Sequence, residues 1–232
     1  RTVTGVQTCA LPIWADTYTK TIERLPPERP DADPDRRLRI GYVSGDFRKH
    51  TVGAFVELLL GRHDRNRVHV TCYANVPRPD DRTERLRKRA DAWHAIHSMN
   101  DADVAKLVRD DAIDVLVDLS GHTAGNRLFV FARRPAPVQV HLFGYPLTTG
   151  LADIHYRISD PFADPPEEPN ILSTESLFRL PECAWVYKMP EISPDVSGLP
   201  SQKKRSFTFG CLNNPAKLSE ACVETWAKVL KA

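Results

Sequence analysis

Two short segments of the chain combine histidine with a carboxylate, a hydroxyl or glycine at spacings that could serve chemistry. The segment SGDFRKHTVG carries Asp46 and His50, and DLSGHTAGNR carries His122, Thr123 and two glycines. Histidine is the side chain whose charge changes near neutral pH, and glycine lets the backbone approach a ligand closely. The two segments are therefore candidates for a ligand-binding or proton-transfer site.

Two further segments add hydroxyls, amides and a cation. GYPLTTG is a turn with two threonines, and CLNNPAKLSE holds Asn213, Asn214 and Lys217 at or just before the start of a helix. The free amides of a helix N-terminus favour a phosphate. Open α/β sheets bind ligands outside the carboxyl ends of their strands, which is where all four segments are expected to lie.

Each of these residues also has an interpretation without a ligand. His50 alone is more often a helix cap or a surface histidine than a catalytic one, and Lys217 alone is more often a solvated lysine. Asp118 can simply end a strand, and Gly121 and Gly125 can satisfy the geometry of a turn. Only the four segments taken together favour a site.

Other motifs argue against particular cofactors. His94 and His97 have an HxxH spacing, but on a strand this spacing directs the two rings to opposite faces, so we expect no metal site there. No GxGxxG follows the first strand, and no GxxxxGK followed by Ser or Thr occurs. A Rossmann-type dinucleotide site and a P-loop are therefore both disfavoured.

The apolar pattern predicts strands alternating with helices from Leu38 onward. Strands are expected at residues 38–44, 67–74, 93–98 and 114–121, and helices at 52–61, 80–93 and 101–111. This alternation, with short loops, predicts βαβ units and a parallel sheet covered on both faces. Right-handed crossovers then give a Rossmann-like α/β fold.

The pattern changes beyond Pro135. Three strands are expected within residues 138–145, 154–160 and 177–182, and a polar linker begins near Ser193. After it, the sequence predicts a new strand at 207–213 and a helix at 216–232. A strand, loop and helix that follow a polar break are typical of the start of a second α/β domain.

Composition excludes several classes of protein. Hydrophobic residues make up 41% of the chain, and 32 Lys and Arg face 30 Asp and Glu, for a formal net charge of +2. These proportions argue against disorder, a membrane span and a dedicated nucleic-acid binder. The five cysteines are scattered and lack CxxC pairs, which indicates reduced, structural thiols in a cytoplasmic protein.

Both ends of the chain are expected to be open, as in an internal fragment of a longer protein. Residues 1–13 resemble the conceptual translation of a sequencing-library adapter, with a weakly ordered natural terminus as the alternative. We interpret residues 14–37 as a linker or the end of a helical repeat region, 38–195 as a Rossmann-like catalytic lobe, and 196–232 as a linker and the first strand–helix unit of a second lobe.

A long ordered series of motifs resembles one enzyme family. RLRIGYVSGDFRKHTVGAF, then RRPAPVQV followed by GYPLTTG, and later FGCLNNPAK are similar to the catalytic region of the O-linked N-acetylglucosamine transferases, in their bacterial branch with tetratricopeptide repeats. The resemblance implies a GT-B fold of two Rossmann-like lobes with a nucleotide sugar in the cleft between them. It implies inverting transfer of GlcNAc from UDP-GlcNAc to a Ser or Thr hydroxyl.

The same resemblance assigns roles to individual residues. His50 matches a histidine proposed as the base, a task that suits an imidazole near its ordinary pKa. Thr123 matches a residue that lines the donor sugar, with His122 as its neighbour on the donor side. Lys217 matches the lysine that contacts the UDP diphosphate and stabilises the leaving group, and Asn214 matches an amide on the uridine diphosphate side. No metal or other cofactor is expected.

The expected partners are a UDP-sugar donor and a protein acceptor, without nucleic acid or membrane, and the oligomeric state is open. Leu147 departs from the family pattern, because it stands where GYPGTTG has its second glycine. Two alternatives therefore remain: a related glycosyltransferase that uses another UDP-hexose or acceptor, and a catalytically dead repeat-protein scaffold. We expect the isolated 232-residue chain to be inactive, since a donor cleft needs both walls.

Overall fold

A computed structural model describes residues 2–27, 33, 35–167, 173–189, 193–204, 206–212 and 215–231. The chain divides into two compact units, residues 1–188 and 189–232, and each is described by itself. All strands of the described residues belong to the first unit. That unit also carries most of the candidate site residues.

Seven parallel strands form one sheet in the first unit. They are β1 (Leu38–Ser44), β2 (Val68–Ala74), β3 (Ala92–Ala95), β4 (Val115–Asp118), β5 (Val138–His141), β6 (Tyr156–Ser159) and β7 (Ser176–Arg179). Their order in the sheet is β3-β2-β1-β4-β5-β6-β7. The chain therefore builds outward from β1 in one direction and from β4 in the other. The order reverses between β1 and β4, which creates the crevice where open α/β sheets bind ligands.

Helices connect most of these strands and cover both faces of the sheet. They are α1 (Thr2–Thr19), α2 (Thr51–Leu60), α3 (Asp81–Arg87), α4 (Asp101–Asp110) and α5 (Leu128–Phe131). Residues of α2 and α3 belong to one apolar cluster, and residues of α1, α4 and α5 belong to the other. The described part of the chain holds no helix with the length and apolar character needed to cross a membrane.

Alternation along the strands divides the core between these two clusters. Val43 and Tyr73 pack against α4 and α5, whereas Tyr42, Cys72 and Val117 pack against α2 and α3. A parallel sheet must bury both of its faces, and a strand with apolar residues at every position satisfies both. The α/β, Rossmann-like fold expected from the sequence is confirmed.

The elements of the first unit occur in the predicted order, but several end earlier than the sequence pattern indicated: β3, β4 and β5 end at Ala95, Asp118 and His141 rather than at 98, 121 and 145. The helix predicted at residues 80–93 ends at Arg87, because the chain must turn before β3 begins at Ala92. In the second unit, α6 (Pro200–Lys204), a 3-10 turn (Pro215–Lys217) and α7 (Glu220–Lys231) form, but the strand predicted at 207–213 is absent from the described residues 207–212. A strand gains its stability from paired neighbours, and the described residues supply none there.

The N-terminal helix crosses the boundary that the sequence places between residues 13 and 14. Helix α1 runs from Thr2 through Thr19, and Ala15 is buried in the core with Trp14 packed against it. Beyond the helix, Ile22 and Leu25 also contact the core. These apolar side chains therefore anchor a polar segment on the first unit. The interpretation of residues 14–37 as a linker or the end of a helical repeat region stays a prediction.

Gly144, which follows β5, offers a direct test of this packing. A Cβ at Gly144 would lie 2.0 Å from the Leu119 carbonyl oxygen, a backbone atom that cannot move aside cheaply. We expect Gly144→Ala to lower the free energy of unfolding of the first unit by about 1–3 kcal/mol, measured by urea denaturation. The control is Gly198→Ala, where the added methyl meets no atom within 4 Å and no change is expected. Equal stability of G144A and wild type would contradict the close approach of the two backbones.

Candidate active site

The loops after β1 and β4 meet where the strand order reverses. A Cβ on Gly45 would lie 2.9 Å from the carbonyl oxygen of Gly125, so the backbone of one loop rests on the other. The Asn75 side chain, which follows β2, donates a hydrogen bond of 2.8 Å to the same Gly125 oxygen. It also accepts one from Arg127. The sheet therefore brings two of the sequence-predicted segments into contact.

His50 lies at the N-terminus of helix α2. Its Nδ1 accepts a hydrogen bond of 3.3 Å from the backbone N–H of Val52, which makes His50 the helix cap. The Oδ2 atom of Asp46 is 3.5 Å from the same Nδ1, and Asp46 is buried while the His50 side chain remains 42% exposed. His50 therefore caps helix α2, which is the role that the sequence offered as the alternative to catalysis. It is also a half-exposed imidazole beside a buried carboxylate.

His122 and Thr123 lie in the loop after β4. The Nε2 atom of His122 is 2.7 Å from the carbonyl oxygen of Thr149, so this nitrogen carries a proton and donates it. Thr123 donates its hydroxyl to the carbonyl of Ser120 at 2.7 Å. Gly121 holds a positive φ of 53° within this turn, a conformation that favours glycine.

The GYPLTTG segment follows β5 and is anchored by a residue that the sequence did not indicate. Glu175, only 1% exposed, accepts four hydrogen bonds from the hydroxyls of Thr148, Thr149 and Ser173 and the backbone N–H of Thr149. Burial by itself would raise the pKa of Glu175, but these hydrogen bonds outweigh it and hold the pKa below its ordinary value. Glu175 is therefore a buried anion that fixes the backbone at Thr149, against which His122 bonds.

Sequence reasoning also missed His141, the last residue of β5. Its Nδ1 is 2.7 Å from Oδ2 of Asp118, and its Nε2 is 2.6 Å from the carbonyl oxygen of Tyr145. The sequence signal for it was weak, because the strand VQVH also carries the polar Gln139, so a terminal histidine does not stand out. Glu175 left no comparable signal, because it precedes a partly exposed edge strand.

Helix α1 also contacts this region. The indole of Trp14 meets the His122 ring edge to face, with ring centroids 4.8 Å apart, and stacks on Phe129. A Cβ on Gly150 would lie 2.5 Å from the backbone of Leu11, so the end of the GYPLTTG segment rests on the helix. The end of α1 therefore forms one wall behind His122.

Lys217 and Asn214 lie in the second unit. The backbone of Lys217 ends the 3-10 turn that begins at Pro215, three residues before helix α7, while Asn214 lies outside the described residues. The structure thus brings the loop that carries His50 into contact with the loop that carries His122 and Thr123. The roles of Lys217 and Asn214 remain predictions.

His94, of the HxxH spacing, has partners within the fold. It pairs through Nε2 with Asp111 at 3.0 Å and stacks on Tyr73. The described residues contain no group of three or more His, Cys, Asp or Glu placed to hold a metal.

Leu147 does not have a positive φ. Among the described residues other than glycine, only Ala112, Arg134 and Phe143 do. The backbone at this position therefore imposes no need for glycine, and Leu147 is compatible with the turn.

Comparison with known proteins gives the same family from sequence and from structure. A family model described as "Glycosyl transferase family 41" matches residues 19–190. A protein of Arabidopsis thaliana named "Probable UDP-N-acetylglucosamine--peptide N-acetylglucosaminyltransferase SPINDLY" is 42% identical over 205 residues, which are 86% of this chain and 22% of that protein. A UDP-N-acetylglucosamine--peptide N-acetylglucosaminyltransferase of Caenorhabditis elegans is 35% identical over 154 residues, 65% of this chain and 13% of that protein.

Among solved structures, a mutant O-GlcNAc transferase of Thermobaculum terrenum superposes with a TM-score of 0.87 at 40% identity. The match covers 97% of this chain and 42% of that chain. The chain therefore spans about a fifth of the length of the plant relative and less than half of this solved chain.

Glu175→Gln tests the anchor of the GYPLTTG segment. A glutamine amide places an N–H₂ group, which is a donor, opposite hydroxyl and N–H groups that need an acceptor. We therefore expect the variant to lower the free energy of unfolding by about 1–3 kcal/mol at pH 7. The lowered pKa sets the sign: this stabilisation is present above the ordinary glutamate pKa and is lost as the pH falls through the folded-state value. Urea denaturation at pH 7 and below pH 4 measures both effects.

Glu167→Gln, at an exposed glutamate, is the matched control and is expected to match wild type at both pH values. A destabilisation by Glu175→Gln that persists unchanged at low pH would contradict an ionised anchor.

Proposed function

The chain belongs to glycosyl transferase family 41, and from this premise we propose that it forms part of an inverting glycosyltransferase that moves GlcNAc from UDP-GlcNAc to Ser or Thr hydroxyls of proteins. The observation that carries the proposal is the meeting of the His50 and Thr123 loops at the reversal of strand order. This is the edge where an open α/β sheet holds its ligand. A half-exposed histidine at that edge can reach a substrate and still be oriented by the fold.

His50 is the proposed general base. As the acceptor hydroxyl attacks the anomeric carbon of GlcNAc, an imidazole nitrogen takes the hydroxyl proton, the new glycosidic bond forms and the bond to UDP breaks. Attack from the face opposite to UDP inverts the anomeric centre. Nε2 suits this step because Nδ1 is the nitrogen that faces Val52 and Asp46 in the folded loop.

Asp46 is the proposed partner that prepares His50. For Nε2 to accept a proton, the neutral ring must carry its hydrogen on Nδ1, where it then faces Oδ2 of Asp46 at 3.5 Å. A carboxylate there also stabilises the imidazolium that forms when the hydroxyl proton arrives. In the other tautomer Nδ1 carries no hydrogen and accepts the Val52 N–H, as it does in the structure. The ring can therefore be held in either of two ways, by Val52 or by Asp46.

The donor side is proposed to involve the loop after β4 and the second unit. The side chains of His122 and Thr123 are oriented by hydrogen bonds to the carbonyl oxygens of Thr149 and Ser120, which suits them to contact a sugar. Lys217 is proposed to place its ammonium against the diphosphate and to stabilise the leaving group, with Asn214 on the same side. Their support is the family resemblance and their place before helix α7.

The proposed setting is a cytoplasmic enzyme with a UDP-sugar donor and a protein acceptor. It is supported by the free cysteines among the described residues, with Cys72 buried and Cys183 exposed, and by the peptide substrate named for the relatives. The reaction as proposed needs no metal, because a lysine ammonium supplies the positive charge at the diphosphate. No oligomeric state is proposed.

The residue roles predict a specific loss of activity. In the longest reading frame that encodes this chain, we expect His50→Ala to reduce kcat for GlcNAc transfer by about 10²–10⁴-fold, because the proton acceptor is removed. Lys217→Ala is expected to reduce it by about 10²–10³-fold through lost charge stabilisation. Transfer of labelled GlcNAc from UDP-GlcNAc to protein acceptors measures both.

Exposed residues of the same types serve as controls: His97→Ala in the first unit and Lys228→Ala on α7 are expected to keep wild-type rates. Wild-type rates in the His50 and Lys217 variants would refute the assigned roles. Assays with a set of UDP-sugars as donors separate the alternatives. Transfer from another UDP-hexose, and not from UDP-GlcNAc, would indicate a related glycosyltransferase with a different donor. Absence of any UDP affinity by calorimetry would favour the scaffold interpretation.

The 232-residue chain by itself is expected to transfer no GlcNAc. The relatives contain most of their sequence outside the matched region, and the donor contacts expected from the second lobe are only begun in residues 189–232. The same assay, run with the chain and with the longest reading frame at equal concentration, checks this. Measurable transfer by the chain alone would contradict it.

A further inference from the structure

Asp118 and His141 form a buried pair beneath the loops of the candidate site. Their side chains are 0% and 1% exposed, and Nδ1 of His141 lies 2.7 Å from Oδ2 of Asp118. The strands that end in these residues are neighbours, and Asp118 is directly opposite His141 in the register of β4 and β5. The contact is therefore set by the sheet itself rather than by a flexible loop.

The partners of the imidazole determine its protonation state. Nδ1 faces a carboxylate and Nε2 faces the Tyr145 carbonyl oxygen at 2.6 Å, so both ring nitrogens meet acceptors. A neutral ring has only one N–H and would leave one of these acceptors opposite a lone pair. Doubly protonated imidazole satisfies both, and its charge compensates the buried Asp118 carboxylate, which would otherwise be costly.

The pair holds two loops at once. The Asp118 carboxylate accepts hydrogen bonds from the backbone N–H groups of Ser120 at 3.1 Å and Gly121 at 2.8 Å. These two bonds shape the turn that carries His122 and Thr123. On its other side, His141 fixes the Tyr145 carbonyl at the start of the GYPLTTG segment. A chain of hydrogen bonds therefore runs from one loop to the other through the imidazole.

Packing leaves this arrangement little freedom. A Cβ added to Gly121 would lie 2.5 Å from Cβ of Tyr145 and 3.0 Å from Cε1 of His141, so loop, ring and tyrosine are in close contact. The surrounding charges are Asp118 and, farther away, Glu175; Arg157 borders the same small cavity as His141 but is paired with Asp164. Burial alone would lower the pKa of His141, but the hydrogen bond and charge of Asp118 outweigh it and raise the pKa above its ordinary value.

We propose that His141 is a positioning residue that locks the loop carrying His122 and Thr123 to the GYPLTTG segment as a doubly protonated imidazolium. The role in catalysis rests on the proposed function, but the charged lock itself does not. Because the histidine gains affinity for its proton in the folded state, its contribution is complete below the ordinary histidine pKa and is lost as the pH rises through the raised value. At alkaline pH the neutral ring keeps only one N–H, so one of its two hydrogen bonds is lost and the connection through His141 loosens, while the His122–Thr149 hydrogen bond still joins the two loops.

Histidine-selective NMR of the full chain tests the lock without any assay of activity. At pH 8 we expect the His141 ring to show the imidazolium pattern with both nitrogens protonated. His155 is the internal control, because its Nδ1 accepts from the Gln139 N–H and burial lowers its pKa, so it should be neutral at this pH. Raising the pH further should move the Gly121 amide signal with the same midpoint as the His141 ring. A neutral His141 ring at pH 8 would overturn the proposal.

Variants connect the lock to the donor side. We expect His141→Gln to abolish the pH-linked movement of the Gly121 amide and, in the longest reading frame, to raise the KM for UDP-GlcNAc at least 10-fold more than it lowers kcat. His155→Gln should do neither. An unchanged alkaline step or an unchanged KM in a folded His141→Gln would overturn the positioning role. If the wild-type enzyme transfers no GlcNAc, the proposed function fails while the NMR result still decides the lock.

Discussion

Parallel pairing of β1 with β4 is the constraint on which the candidate site depends. The register places Val43 opposite Asp118, so the two strands end at nearly the same level. Since the chain builds outward on opposite sides of this pair, the connections leave it in opposite directions and a crevice opens above it. The loop that carries His50 follows one strand of this pair and the loop that carries Thr123 follows the other, so the two loops meet at Gly45 and Gly125. They would not be neighbours if β4 were added at a different edge.

Buried charge then fixes the loops that the sheet brings together. Two buried carboxylates hold these loops, and the fold compensates each in a different way: Asp118 pairs with the His141 imidazole, whereas Glu175 receives neutral donors from Thr148, Thr149 and Ser173. An unsatisfied buried charge is expensive, so each arrangement strongly disfavours other loop conformations. A site built in this way is rigid before a substrate arrives, which is what orientation of reacting groups requires.

The sequence predicted the fold more fully than the site. The strand patterns of RVHVTCYA and DVLVD located β2 and β4, because such runs report on the faces of a covered sheet. The burial of β2 was underestimated, since period-two alternation predicts one buried face whereas Thr71 and Tyr73 on the other face are buried as well. His50, His122 and Thr123 could be singled out from glycine-rich segments at strand ends. Their anchors could not, because His141 and Glu175 act through tertiary hydrogen bonds to residues 23 and 26 positions away. The strand predicted at 207–213 failed for a related reason, since pairing depends on neighbours that no local pattern reveals.

The central claim is that the loop after β1 supplies the base for transfer to a protein hydroxyl. The most direct measurement is a crystal structure of the longest reading frame bound to UDP-GlcNAc, or an unreactive analogue, and an acceptor peptide. We expect the acceptor hydroxyl to lie within about 3 Å of Nε2 of His50. We also expect Nδ1 to have turned from the Val52 N–H toward Asp46. A sugar and acceptor bound elsewhere, with His50 still capping helix α2, would contradict it.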